Sequence, residues 1–154
     1  GLFLAGVPTD GYFAELERVS NSQIIFGANN FGCPFKGFIS WDKGVRGADR
    51  YSQCEIASLS DNLSTVSFVA EVPIYGNYKG KIHPTQKPVE LYEWILTRFA
   101  KEGDKIIDTH LGSGSSRIAA YNLGFDFVGC EIDRKYYEKQ EERFAAHTAQ
   151  VRMW

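Results

Sequence analysis

One stretch limits what this chain can become: Gly103 to Ser116, reading Gly-Asp-Lys-Ile-Ile-Asp-Thr-His-Leu-Gly-Ser-Gly-Ser-Ser. Lys105, Ile106 and Ile107 form a short β-prone run that Asp108 closes, and a loop holding Gly112, Ser113, Gly114 and Ser115 follows. Ile118, Ala119, Ala120 and Leu123 then recur at helical spacing, with Gly124 where a helix stop is expected. The pattern predicts strand, glycine loop, helix. Glycine lets a ligand approach the backbone, and the helix N-terminus behind it offers free N–H groups to polar ligand atoms. Many α/β domains turn from strand to helix through small residues, so the loop alone marks a nucleotide-like pocket only weakly. Phe127, Val128, Gly129 and Cys130 read as a second buried strand ending at Glu131. An acid in that position is the usual partner of ribose hydroxyls in doubly wound nucleotide sites.

A third segment, His83-Pro84-Thr85-Gln86-Lys87-Pro88, stands directly before a helical pattern. With Asp-Thr-His-Leu-Gly-Ser-Gly-Ser and Gly-Cys-Glu-Ile-Asp, it resembles three successive motifs of the S-adenosylmethionine-dependent DNA amino-methyltransferases, in the permuted group whose cofactor motifs follow the catalytic one. The resemblance extends more loosely from Tyr12 to Phe144. It implies an α/β, doubly wound Rossmann-like methyltransferase sheet, mostly parallel with an antiparallel edge hairpin, and incomplete at the N-terminus. Residues 1–154 then form a single methyltransferase domain: substrate-side strands and loops at 12–72, a linker and cofactor motif at 73–88, and a cofactor-binding half at 89–147.

The roles that the resemblance implies fall on named positions. Gly112, Ser113, Gly114 and Ser115 shape the loop around the methionine part of S-adenosylmethionine, with Asp108 hydrogen-bonding nearby and His110 as wall rather than catalyst. Glu131 binds the ribose hydroxyls, and Ile132 or Asp133 borders the adenine. Thr85, Lys87 and Pro88 lie by the cofactor's amino-acid end, where a hydroxyl or a charge can meet a carboxylate. Against these stand plainer readings: Asp108 as a turn cap, Glu131 as a surface acid, and His83 as a structural residue.

Elsewhere the patterns predict a helix over Tyr12 to Val19, strands at Gln23 to Phe26 and Phe38 to Trp41, and two strands, Gln53 to Leu59 and Val66 to Val72, joined by a turn at Asp61-Asn62. Leu91, Tyr92, Ile95, Leu96 and Phe99 form one apolar helical stripe, read as core. The last helix is expected to turn Tyr137 and Phe144 inward and to carry a solvated charged face including Glu138, Lys139, Glu141, Glu142 and Arg143.

Seventeen basic against 19 acidic side chains give a net charge of −2, so DNA contact has to come from a local basic face. The candidates are Lys36, Lys43, Arg46, Arg50, Lys79 and Lys81. Trp41, Tyr75 and Tyr78 interleave with them, which suits base stacking and equally suits strand edges. Three widely spaced cysteines, Cys33, Cys54 and Cys130, are read as free, mostly buried thiols of a reducing, cytoplasmic setting. No apolar run reaches the ~20 residues that span a bilayer, and no His/Cys cluster has zinc spacing, so neither membrane nor metal is expected. A dinucleotide oxidoreductase would want a glycine where Arg117 stands.

The family's catalytic element is an Asp/Asn/Ser-Pro-Pro-aromatic tetrapeptide, and no two prolines are adjacent here. Three explanations are open. A missing N-terminal segment or a second chain supplies it; or Leu2 to Val7 fills the central strand position with Asp10 near the methyl group; or the chain is a catalytically inactive cofactor- and DNA-binding relative. The function implied is methyl transfer to an exocyclic amine of a DNA base, adenine N6 before cytosine N4, in a phage or restriction-modification setting.

Overall fold

A computed structural model describes residues 8–31, 36–45, 52–74 and 80–151. They belong to two compact units, one within 2–76 and one within 77–154.

The first unit begins with helix α1 (Asp10–Val19), none of whose residues is buried. Strand β1 (Ile24–Phe26) is followed by a 3₁₀ turn over Ala28–Asn30, and then by β2 (Gly37–Asp42), β3 (Cys54–Leu59) and β4 (Phe68–Glu71). They form one sheet in the order β1-β3-β2-β4. Strand β3 runs antiparallel to both β1 and β2, whereas β2 and β4 are parallel, with Ile39 opposite Phe68 and Asp42 opposite Glu71. Alternation along β2 puts Ile39 and Trp41 on one face, which is the buried one.

The two strands expected to be joined at Asp61-Asn62 are therefore not partners. The turn is pinned elsewhere: Ser60 Oγ accepts the Gln23 N–H at 2.9 Å, and Asn62 Nδ2 donates to the Asn21 carbonyl and to Ser22 Oγ. These bonds tie the turn to the segment leading into β1. Strand β4 goes on to β2, and the ladder continues beyond it through Val72 N–H to the Asp42 carbonyl and Ile74 N–H to that of Lys43.

The second unit contains α2 (Val89–Phe99), β5 (Lys105–Asp108), α3 (Ser115–Leu123), β6 (Asp126–Gly129) and α4 (Arg134–Val151). Strands β5 and β6 pair in parallel, Lys105 opposite Asp126 through Asp108 opposite Gly129, with α3 as the crossover. Leu96, Ala119 and Ala120 form the buried cluster, flanked by Val89, Tyr92, Ala100, Ile106, Phe125 and Phe127. The small Ala119 and Ala120 let α2 and α3 approach closely, and full burial of a side chain such as Leu96 contributes about 1.5–3 kcal/mol. Gly124, in the left-handed region at φ 77°, ends α3 as expected. The sheet's other face carries Ile107 and Val128, both exposed.

The fold is α/β, and the mostly parallel sheet with an antiparallel edge hairpin is borne out in part: among the described residues there are two sheets, with parallel and antiparallel pairings in equal number. The reason lies in the connections. A strand can return antiparallel through a loop, whereas each parallel pair needs a crossover, supplied here by β3 in one unit and α3 in the other. The helical stripe is core as read, with Leu91, Ile95 and Leu96 buried. Tyr137, however, is exposed. The inward positions of α4 are Tyr136, whose ring centroid lies 4.3 Å from that of His83, and Gln140, which is buried. Cys54 and Cys130 are free and exposed rather than buried, since both stand at strand ends; Cys33 lies outside the described residues.

Candidate cofactor site

The glycine loop is tied to β6 by a ladder that outlasts the strands. Cys130 N–H donates to the Asp108 carbonyl at 2.8 Å and Leu111 N–H to the Cys130 carbonyl at 2.9 Å. Gly129 permits this closeness, because a Cβ there would meet Phe127 at 2.9 Å and both Leu111 methyls at 3.0 Å. Glu131 completes the tie with its side chain: Oε2 accepts the Gly112 N–H at 2.8 Å and Oε1 the Asp133 N–H at 2.9 Å. The acid at the end of β6 and the loop after β5 are thus one structure. A carboxylate offers about four lone-pair directions. Two are taken by these bonds, and the others remain for hydroxyl donors.

Asp108 holds the start of the loop. Its Oδ1 accepts the His110 N–H at 2.9 Å and its Oδ2 the Ser116 hydroxyl. The turn-cap reading of Asp108 is therefore correct in part. His110 is exposed, with Nδ1 3.0 Å from Thr109 Oγ1. Residues 111–116 are all buried. Asp133 caps α4, accepting N–H bonds from Lys135 at 2.8 Å and Tyr136 at 3.2 Å, while Ile132 beside it is 98% exposed.

The segment from His83 to Pro88 is bonded to itself. His83 Nδ1 accepts the Thr85 N–H at 3.3 Å, Gln86 N–H donates to the His83 carbonyl, and Gln86 Oε1 accepts the Ile82 N–H. Pro88 is the N-cap of α2 and is buried; Thr85 is exposed and Lys87 half-buried. His83 itself is buried behind the loop: a Cβ on Gly112 would lie 3.5–3.6 Å from its ring. An accepting Nδ1 puts the ring proton on Nε2.

Burial pushes the His83 imidazole below its ordinary value of 6.5; Lys87 acts in the same direction, and Glu131 and Asp133 oppose it. The unfolded chain takes up a proton at His83 near its ordinary value, whereas the folded chain does so only lower down. Stability from this residue is thus full above pH 6.5 and is lost as pH falls through the lowered folded value. Thermal melting between about pH 7.5 and 5.5 is expected to show a falling midpoint that flattens in His83→Asn; equal slopes in both proteins would refute this.

The structure brings Asp108, Gly112, Ser113, Gly114, Ser115, Glu131 and Ile132 to the ends of β5 and β6. The remaining sequence candidates belong to other segments of the chain. Asp10 is the exposed first residue of α1. Lys36 pairs with Asp61 at 3.7 Å and Lys43 with Glu55 at 2.8 Å, while Lys81 donates to the Pro84 carbonyl. Arg46, Arg50, Lys79, Tyr75, Tyr78 and Leu2 to Val7 lie outside the described residues. Trp41 is core and unavailable for base stacking: it is 2% exposed and its Nε1 donates to the Val72 carbonyl at 2.8 Å. Among the described residues no three His, Cys, Asp or Glu side chains gather as a metal site, and no helix is long and apolar enough to cross a membrane.

The charged face read onto α4 is corrected in part. Arg143 donates to the Ser113 carbonyl and to Ser115 Oγ, both at 2.9 Å. Arg117 bonds Gln140 Oε1 and Glu141, and its guanidinium lies 3.9 Å from the Phe144 ring centroid. Sequence reasoning missed Gln140, Arg143 and Ser116. The only signal for the first two is that Tyr136, Gln140 and Arg143 share a helical stripe, and polar residues on such a stripe ordinarily face water.

A parallel strand pair bridged by a glycine loop and a helix, with an acid just past the second strand bonded back to that loop, is the arrangement of a doubly wound nucleotide-cofactor domain. The chain belongs to the N6/N4 DNA methylase family, whose model matches residues 41–142. It is 41% identical over 64 residues to the type II methyltransferase M2.DpnII of Streptococcus pneumoniae, covering 42% of this chain and 24% of that protein. It is 38% identical over 69 residues to M.HpaI of Haemophilus parainfluenzae, covering 45% and 22%. These matches span about a quarter of the relatives' own length. The fold is similar to that of the M1.HpyAVI–SAM complex, with TM-score 0.60 and 25% identity over 79% of this chain and 74% of that one. The cytosine-N4-specific PvuII DNA methyltransferase shares the fold at TM-score 0.58 and 13% identity, over 80% and 63%.

Proposed function

We propose that the chain binds S-adenosylmethionine between the 112–116 loop and Glu131 and forms the cofactor half of a DNA methyltransferase acting on an exocyclic base amine. The observation that carries this reading is the Glu131 carboxylate, which spans the Gly112 and Asp133 N–H groups and keeps lone pairs for ribose hydroxyls. Other residues present fit the group too. Gly112 and Gly114 are both in the left-handed region, and α3 begins at Ser115, so N–H groups of its first turn point out of the helix start. Ile132 gives an apolar face for the adenine, and Thr85 and Lys87 supply a hydroxyl and an ammonium for the carboxylate end.

When bound, the cofactor supplies an electrophilic methyl group on a sulfonium. The chain's own residues align it and exclude water from the loop side. The group that accepts the amine's N–H hydrogens is assigned to a Pro-Pro-aromatic element on an additional segment or a second chain, a reading supported by the absence of adjacent prolines here. Adenine N6 is the acceptor read from the motif combination, and DNA is the partner. Its phosphates would meet the Lys36, Lys43, Arg46, Arg50, Lys79 and Lys81 segments, with Lys36 leaving Asp61 and Lys43 leaving Glu55.

Calorimetric titration of the 154-residue chain with S-adenosylmethionine tests this directly, with binding expected at micromolar concentrations. A flat titration would remove the cofactor reading. Methyl transfer to DNA with the segment or chain that carries the Pro-Pro-aromatic element supplied, followed by nucleoside analysis for N6-methyladenine or N4-methylcytosine, decides the acceptor; binding without transfer in that assembly leaves the inactive, cofactor-binding role.

A further inference from the structure

We infer that Arg143, backed by Gln140, is a positioning residue that locks the glycine loop from behind; this rests on the cofactor reading above. The peptide joining Ser113 to Gly114 is held at both ends. Its carbonyl accepts from Arg143 Nη1 at 2.9 Å, and its N–H donates to the Leu111 carbonyl at 2.9 Å. A peptide is planar, so two bonds on opposite sides fix the orientation of the whole unit. That unit precedes Gly114, whose φ of 74° and ψ of 18° turn the chain into α3. The same guanidinium nitrogen reaches Ser115 Oγ at 2.9 Å, and Ser115 Oγ lies 3.2 Å from Ser113 Oγ. Both serines are buried, at 5% and 2% exposure.

Gln140 closes the space beneath. It is 1% exposed, and a Cβ on Gly114 would stand 3.1 Å from its Oε1 and 3.2 Å from its Cβ. Its Oε1 accepts from Arg117 Nη1 at 3.0 Å and its Nε2 donates to Glu141 at 2.9 Å. The side chain beneath the glycine is therefore itself held, and α4 acts as a plate that sets the direction of the first N–H groups of α3. None of these residues need touch a ligand. Their contribution is that the loop pays no ordering entropy when a cofactor arrives.

The test compares the 154-residue chain with Arg143→Met, which keeps the aliphatic stem without donors, and Arg143→Lys, which keeps the charge on a shorter stem without the planar guanidinium. Three measurements are made: amide hydrogen exchange at residues 112–118 without ligand, S-adenosylmethionine affinity, and thermal melting. In R143M, exchange at Gly114 and the following amides is expected to quicken, and affinity to fall by about tenfold or more, the loss of charge-assisted hydrogen bonds. R143K is expected to recover part of both.

Unchanged exchange in R143M would overturn the locking. A lower melting point with parental affinity would reduce Arg143 to a stabilising residue and likewise overturn the proposal. If R143M does not fold, R143K carries the test, because the shorter lysine stem does not bring its ammonium to the Nη1 position that serves both the Ser113 carbonyl and the Ser115 hydroxyl; parental exchange and affinity in it would overturn the proposal. Failure of the parent to bind S-adenosylmethionine overturns the cofactor reading and the loop's proposed purpose, while the exchange measurement still judges the lock itself.

Discussion

Glu131→Ala is expected to weaken S-adenosylmethionine binding by on the order of a hundredfold, since hydrogen bonds to a charged group contribute about 1.5–3 kcal/mol each. Two losses add. The ribose hydroxyls would lose a charged acceptor, and the Gly112 and Asp133 N–H groups would lose the oxygens that hold them. The second loss lets the loop after β5 separate from the end of β6, so the pocket's other wall suffers with it. Glu131→Gln tests the split. Its amide keeps one acceptor oxygen but sets an NH2 group against one of the two N–H donors, so affinity should fall here also, by roughly tenfold. Asp108→Ala is expected to act indirectly, by releasing His110 N–H and the Ser116 hydroxyl. Calorimetry on the parent and the three variants gives the comparison. An E131A protein that binds as the parent does would remove Glu131 from the site.

The largest effect on stability is expected at Trp41. Trp41→Ala should cost about 3–5 kcal/mol, the range for deleting a large buried aromatic side chain. Trp41 is 2% exposed on β2, between β3 and β4, opposite Glu55 and Ala70. Its Nε1 donates to the Val72 carbonyl at 2.8 Å, just past β4, and the Lys43 ammonium lies 5.5 Å from its ring centroid. Removing the ring leaves a cavity, takes the donor from a carbonyl, and removes the aromatic face over which the Lys43 ammonium pairs with Glu55. Trp41→Phe keeps most of the volume and loses the hydrogen bond, for about 1–2 kcal/mol. Urea unfolding of the three proteins measures the difference. A loss below about 1 kcal/mol in W41A would contradict the interior position of this ring.

Much of the second unit could be read from the chain in advance, and for a local reason. Strand β5, the loop, α3 and β6 are consecutive, and their punctuation is chemical: glycines where φ is positive, an acid at each strand end, an apolar stripe at helical spacing. Each of these signals depends on a residue and its near neighbours. The first unit was legible only as a set of strands. Their existence and approximate bounds followed from β-prone runs, but the pairing of β4 with β2 did not, because Asp61-Asn62 has the composition of a hairpin turn whether or not the flanking strands meet. The bonds from Ser60 and Asn62 to residues 21–23 are about 40 positions apart in sequence, and nothing local announces them.

The same division runs through the site. The sequence named Asp108, Gly112, Gly114 and Glu131, whose chemistry is contiguous with the strands and loops that carry them. Folding decided how their polar atoms are used: Asp108 holds its own loop, and Glu131 accepts the Gly112 and Asp133 N–H groups and so ties two loops together. It also put Trp41, read as ambiguous, into the core, bonded the half-buried Arg143, read as solvated, to the glycine loop, and set the buried Gln140, of which no reading was made, behind Gly114. A side chain's type limits which bonds it can make, whereas its burial and partner depend on which distant segment the backbone brings alongside. That is why the strand, glycine loop and helix could be read from the chain, and their supports only from the fold.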